Sequence, residues 1–486
     1  MHAGALWRPC SLVAGLLTDE EIDMQIVLAD LISADGFVSK DTVAGGYGSR
    51  LRPFSRVTRV MSAIKQRLHA LPSVQLGYIA AICAAAGHDV VYSEAEAAEG
   101  DLAIVLTSLV DYRRECAWAQ EQRARGVRVG FVGLAASKLP ELFEASGDFV
   151  IIGEPEHAIQ RLAAGDFLAG RVPSPPIQNL TELPFPRWDL LGGSRRGWSL
   201  PFTGRPAGGS FPLLASRGCP EFCTYCPHRI LASYRDRPAK NIVDELEYLC
   251  ALKRRPYVVF RDPLFSEDRD RCLALCDEIR SRGLLLRFEC ETRLDRLDPE
   301  LLQTLRSAGL AAISFGVETS SAETLKRSGR RPIPPAHQRQ IMAECRKLGI
   351  VTAAFYVLGF LQDDWSAVAA TIDYSIALGS TAAQFKLLTP YPGTPMWKQL
   401  SARVYETDWQ QFDGFTPTFT HPSLSADELR FLLGAAYTRF YVRPSYLANF
   451  LRLRGRGLRA AERFDSGVRA RHERRERAMM AKGVTC

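Results

Sequence analysis

The sequence predicts an α/β chain: an N-terminal doubly wound parallel sheet, then a partial (β/α)6 barrel, then a helical C-terminal extension. Three observations support this. From residue 25 to about 165, short apolar runs of strand length alternate with helical patterns, as parallel strands buried on both faces do. A second alternation, with six such runs, occupies 212–388. Between them, VPSPPIQNLTELPFPRWDLLGGSRRGW (172–198) is dense in Pro and Gly and keeps no period, which marks a domain boundary. The expected units are therefore 1–171, a linker at 172–198, a barrel at 199–400, and a helical region at 401–486 ending in a basic tail.

In the first unit the expected strands are 26–31, 89–93, 102–107, 127–132 and 149–152, with a helix over 73–86 that stops at Gly87. Ligands of such sheets sit beyond the carboxyl ends of the strands. Those ends read Thr107-Ser108-Leu109-Val110-Asp111, Gly133-Leu134-Ala135 and Gly153-Glu154-Pro155-Glu156. On pattern alone, small residues there either let the chain turn or make room for a ligand. His88 lies in the turn at the opposite edge and reads as a capping histidine. The Gly-rich string 40–52, KDTVAGGYGSRLR, lacks the Lys and Ser/Thr placement of a phosphate-cradling loop and reads as a surface or interdomain loop.

In the second unit the expected strands are 212–216, 257–262, 286–290, 311–317, 351–358 and 382–388, with helices at 241–253, 271–281 and 299–308. Chemistry in βα barrels sits at the carboxyl ends of the strands. Here those ends offer Cys219, Asp262, Glu291, Arg293, Glu318, Gly359 and the run 389–395.

Composition narrows the classes. Of 486 residues, 47% are hydrophobic and 24% charged, an ordinary globular balance. The net charge of +7 owes much to 439–482, so it describes a tail more than a fold. That tail lacks the interleaved aromatics of a stacking platform; it reads as a solvated amphipathic helix, with nucleic-acid binding the less favoured alternative. The aromatic segment 431–450 can pack on the barrel or touch an anionic membrane surface, where a lipid-like substrate would fit. No apolar run has the length of a helical membrane span, the start of the chain lacks a cleavage site, and the twelve cysteines are scattered. A reducing cytoplasm is the expected setting.

The chemistry concentrates in SRGCPEFCTYCPH (216–228), which carries Cys219, Cys223 and Cys226. A structural zinc site needs four ligands, usually as two separated pairs, and no second Cys-x-x-Cys pair exists in the chain. Cys272 and Cys276 stand one helical turn apart and read as core residues. Three thiolates on one loop suit a 4Fe-4S cluster with one iron left open for a cosubstrate.

This spacing, with Tyr225 before the third cysteine, resembles the signature of the radical S-adenosylmethionine (SAM) superfamily. ISFGVETSS, FECETR and LLTPYPGTP resemble its fourth-, third- and sixth-strand motifs. GHDVVY, LVDYRRE, VGFVG and DFVIIGEPEHAI resemble the cobalamin-binding domain fused to many of its members, without the Asp-x-His-x-x-Gly pattern that ligates cobalt in many cobalamin proteins. The resemblance implies a 4Fe-4S cluster on the three cysteines and SAM at the open iron. It places Glu318 at the SAM ribose or aminoacyl end, Arg293 at its carboxylate, and Tyr225 and Glu291 beside them. Cobalamin would lie near Ser108, Gly133, Gly153 and Glu154. It further implies a flavodoxin- or ferredoxin-like electron donor, a small-molecule substrate and C-methylation, with cyclisation or oxidation as the rival reaction.

Overall fold

The computed structural model describes residues 24–33, 35, 37–40, 46–68, 71–94, 99–191, 210–444 and 446. The question of a leader, the linker beyond 191 and the basic tail beyond 446 fall outside them.

The first unit contains β1 (Gln25–Ala29), a hairpin of β2 (Phe37–Ser39) and β3 (Ser49–Leu51), then β4 (Asp89–Ser93), β5 (Leu102–Leu106), β6 (Arg128–Val132), β7 (Phe149–Gly153) and β8 (Gly170–Ser174). All but the hairpin form one parallel sheet in the order β4-β1-β5-β6-β7-β8. The order reverses between β1 and β5, which makes their carboxyl ends the topological switch point. The sixth strand, β8, runs across the expected boundary at 171/172, so residues 172–174 lie in the sheet. It is an edge strand with alternate residues exposed, where Pro173 is tolerated because an edge can do without one ladder N–H. Its polar, Pro-containing sequence resembles a linker for that reason.

The expected helix forms over Val74–Ala85, capped by the Ser73 hydroxyl, which accepts from the Leu76 N–H at 3.3 Å. It is apolar all round because it is enclosed all round, with Gly77 against Pro186 and Trp188.

The second sheet comprises β9 (Ser210–Leu213), β12 (Tyr257–Phe260), β13 (Arg287–Thr292), β14 (Leu310–Glu318), β15 (Val351–Leu358) and β16 (Ala382–Leu387). Every neighbour is consecutive along the chain and parallel. Helices Ala239–Leu252, Arg269–Ser281, Pro299–Ala308, Pro335–Leu348 and Trp365–Leu378 make the crossovers. Sequential right-handed crossovers put helices on one side, which leaves the other face as the inner wall of an open partial barrel. Burial agrees: in β13, Phe288, Cys290 and Thr292 are buried, while Arg287, Glu289 and Glu291 are half-buried.

The first barrel strand ends at Leu213, short of the expected 216. Residues Ser216–Arg217 (β10) leave the sheet to pair antiparallel with Arg235–Asp236 (β11), so the cysteine loop is bracketed by its own ribbon. The free edge of β16 is covered by helix Ala426–Tyr441. Its Tyr437 hydroxyl accepts from the Phe385 N–H at 3.2 Å and donates to the Phe385 carbonyl at 2.9 Å, and Tyr441 treats Ala383 likewise at 3.0 and 2.7 Å. The described part of 431–450 therefore packs on the barrel. No described helix is long and apolar enough to cross a membrane.

Candidate active site

The cysteine loop leaves the barrel after β9 and is pinned between two other strand exits. The Thr224 N–H donates to the Ser328 carbonyl at 2.9 Å, beyond β14, and the Thr224 carbonyl accepts from the Met396 N–H at 3.0 Å, beyond β16. Gly329, at φ 70°, lies so close that a Cβ there would sit 2.5 Å from the Phe222 carbonyl. Tyr225 packs edge-on against Phe360, just past β15, with ring centroids 5.4 Å apart. Its hydroxyl is buried without a hydrogen-bond partner.

All three thiols are free. Burial pushes Cys226 up to about 12, helped by the charges of Cys223 and Cys219, and burial also raises Cys219. Cys219 and Cys226, raised by burial and set beside Cys223 on one loop, suit a cationic iron cluster, whose charge would favour the thiolates. Among the described residues no three His, Cys, Asp or Glu side chains converge as ligands of a single metal ion.

Glu318 ends β14 at φ 67°, one of two described non-glycine residues in that region, beside a register shift between Gly316 and Glu318. Its carboxylate folds back over Gly316, where a Cβ would strike Glu318 Oε1 and lie 2.9 Å from Arg330 Nη2. Burial raises its pKa, against the pull of Arg330 and Arg293. Arg330 joins the parts: Nη1 lies 3.6 Å from Cys223 Sγ, and Nη2 donates to the Gly316 carbonyl at 2.7 Å and sits 3.5 Å from Glu318. Burial works against its charge, and the Glu318 carboxylate beside it favours the protonated guanidinium. Sequence reasoning missed this residue; the signal was the SGRRP string one helix beyond ISFGVETSS.

The other expected contacts are more committed than the sequence suggested. Arg293 is buried and forked onto Asp295 at 3.0 and 2.9 Å, with Glu221 at 3.6 Å from Nη1, an atom that makes no hydrogen bond. Glu291 pairs with Arg261 at 3.1 Å on the inner wall. Asp262 is buried and accepts from the Ala215 N–H at 3.1 Å and the Ser216 hydroxyl at 2.6 Å, a structural role.

At the N-terminal edge, Ser108 and Glu154, two of the four expected cofactor contacts, are buried against protein partners. The Ser108 hydroxyl donates to Glu115 at 2.8 Å. Gly133 and Gly153 are required by packing against Thr107 and Ser174. Glu154 binds Arg217 Nη1 at 2.7 Å and also Arg235, while Glu156 takes Arg217 Nη2 at 2.7 Å. A charge at the right sheet edge serves there as a domain latch, two residues from Cys219. What remains for a ligand at the switch point is Asp30, directly after β1. Its Oδ1 is buried with no hydrogen bond, and burial raises its pKa even with Lys40 3.8 Å away. His88 caps the opposite edge, its Nε2 3.1 Å from the Ala163 carbonyl.

The two carboxyl edges face each other across the cysteine loop. Tyr47 donates to the Pro392 carbonyl at 2.6 Å and stacks on Tyr391 at 5.4 Å, so the described part of the Gly-rich string is interdomain. Gln410 donates to the Val110 carbonyl at 3.1 Å. Ile230 of the cysteine loop and Lys138 of the first unit both reach Gly393.

Comparison with known proteins agrees with this architecture. Residues 213–373 match the family model of the radical SAM superfamily. Similar curated proteins include an uncharacterized methyltransferase of Pyrococcus horikoshii, 26% identical over 57% of this chain and 59% of the relative. Another is the anaerobic magnesium-protoporphyrin IX monomethyl ester cyclase of Rubrivivax gelatinosus, 25% identical over 56% of this chain and 48% of the relative. The chain thus spans about half the length of the curated relatives it matches. A solved structure of the radical SAM methyltransferase TsrM from Kitasatospora setae, with cobalamin and a [4Fe-4S] cluster bound, shares the fold. Its TM-score is 0.60 at 16% identity, over 87% of this chain and 90% of that one.

Proposed function

We propose, from the premise that residues 213–373 are a radical SAM domain, that this chain cleaves SAM at a 4Fe-4S cluster and methylates a carbon atom of a small molecule. In this reading cobalamin occupies the N-terminal edge. The observation that carries it is the placement of the cysteine loop, fixed to the exits of β14 and β16 and facing the switch edge of a second parallel sheet. When bound, the cluster supplies one electron to the sulfonium and cobalamin supplies a methyl group to the substrate.

The chain's own work is binding, orienting and shielding. Cys219, Cys223 and Cys226 would hold three irons and leave the fourth open. Glu318, set over Gly316, would accept hydrogen bonds from the ribose or ammonium of SAM. The unbonded Nη1 of Arg293 would meet its carboxylate. Asp30 and the turn from Gly133 to Ala136 would border the cobalamin. The N-terminal unit over the barrel mouth keeps water from the reaction. The inner wall carries Glu289, bonded to Tyr257 at 2.7 Å, and the Arg261–Glu291 pair, which favours a polar substrate over a lipid-like one.

The cyclase relatives motivate a second reading, in which the same site closes a ring without methyl transfer. Anaerobic reconstitution with iron, sulfide and cobalt analysis tests the cofactors. A Cys223→Ala variant should lose both the cluster and SAM cleavage, and retention of either overturns the assignment. Methylation requires S-adenosylhomocysteine beside 5′-deoxyadenosine; its absence selects the cyclase reading.

A further inference from the structure

The cluster proposed above must be charged one electron at a time from outside the barrel, and one face of the cysteine loop is built to receive the carrier. Phe222, beside Cys223, is 70% exposed, unusual for a phenylalanine next to an enclosed thiol. Its backbone is pressed against the turn at Gly329. That turn ends the helix Ala322–Arg327 and belongs to the run Lys326-Arg327-Ser328-Gly329-Arg330-Arg331. Lys326, Arg327 and Arg331 are exposed on it, the two arginines 59% accessible. Arg330 points the other way, to Cys223 Sγ at 3.6 Å.

The carboxylates nearby do not cancel this charge evenly. Glu323 is exposed and pairs with Arg327 at 2.8 Å, whereas Glu221 and Asp295 are 16% and 18% accessible and lie behind Arg331. The outward side is a solvent-facing aromatic rimmed by cations, directly over one cluster ligand.

We propose that Phe222 with Lys326, Arg327 and Arg331 is the docking surface for an acidic one-electron carrier protein. The inference rests on the cluster assignment. The step moves one electron and no atoms: the reduced carrier is oxidised by one electron and the cluster is reduced by one. Charge complementarity selects an acidic partner, and rim cations of this kind act chiefly on association rate.

The test compares two reductants on the anaerobically reconstituted protein, reduced flavodoxin as the acidic carrier and dithionite as a small ion that needs no docking. Cluster reduction is followed by stopped-flow absorbance, and flavodoxin binding by calorimetry, each at low and high salt. The double variant Lys326→Glu/Arg327→Glu changes only exposed side chains. It should slow reduction by flavodoxin about tenfold or more at low salt, with the difference shrinking at high salt. Its binding should weaken in step, and its dithionite rate should match the wild type. Phe222→Ser should also slow flavodoxin and spare dithionite. A double variant that binds flavodoxin and is reduced by it at the wild-type rate and salt dependence overturns the surface. A wild-type protein that holds no dithionite-reducible cluster overturns the assignment beneath it.

Discussion

Replacing Arg217 by methionine should destabilise the protein by about 3–5 kcal/mol, the usual cost of breaking a buried ion pair from one side. The side chains involved are nearly sealed, 6% accessible for Arg217, 3% for Glu154 and 1% for Glu156. Glu154 would keep Arg235. Glu156 would not be rescued, because its Oε2 already lacks a partner and Arg217 Nη2 is what binds its Oε1. Methionine retains much of the packing against the Tyr78 ring, over which the guanidinium now lies at 4.9 Å, so the loss is chiefly electrostatic. Equilibrium urea unfolding of the apo-protein measures it, with Arg217→Met, Glu156→Gln and the double variant compared as a cycle. Once the arginine is gone, removing the orphan carboxylate should restore more than half of the loss. The reasoning fails if Arg217→Met stays within 1 kcal/mol of wild type, or if Glu156→Gln adds to its cost.

Two further outcomes are expected. Gly316→Ala puts a methyl group where the Glu318 carboxylate lies, an overpacking of about 1–3 kcal/mol that should weaken SAM binding by tenfold or more in equilibrium dialysis; an unchanged Kd would exclude Glu318 from the SAM site. Asp363, which accepts the N–H groups of Gly359 and Phe360, is raised by burial from 3.8 to about 6, so the folded state binds its proton more tightly than the unfolded chain. Its contribution is full below pH 3.8 and is lost as pH rises through about 6, leaving an ionised group that costs up to about 3 kcal/mol at neutral pH. Asp363→Asn keeps an acceptor and should flatten the fall in urea midpoint between pH 4 and 6.5, whereas an unaltered slope would contradict the burial argument.

What could be read from the sequence divides along a physical line. Central strands of the first sheet announce themselves as apolar runs because they are buried on two faces, and those of the second because buried residues alternate with half-buried ones on the inner wall, as in β13. β8 does not, since an edge strand with Pro173 and alternate exposed residues has the composition of a loop. The cysteine loop is legible because its ligands are local, within eight residues. Arg330 and Arg217 are not, because their partners lie 107 and 63–61 positions away and nothing in a lone arginine names its carboxylate or thiol. Glu154 is similar: its place at a strand end is legible, but its pairing with Arg217 and Arg235, 63 and 81 positions away, is not.

Glu318 then takes on a more definite meaning than a strand-end acid. A non-glycine residue at φ 67° costs on the order of 1–3 kcal/mol and persists only where its surroundings over-determine it. Here the determinants are visible. The register shift after Gly316 turns the carboxylate back along the strand, the missing Cβ of Gly316 gives it room, and Arg330 ties that glycine's carbonyl to the cysteine loop. The same guanidinium therefore sets the position of the acid relative to Cys223. Under the proposed function, a ligand reaching from an open iron to Glu318 would find both ends placed before it arrives, and the strained strand end would contribute to binding without moving.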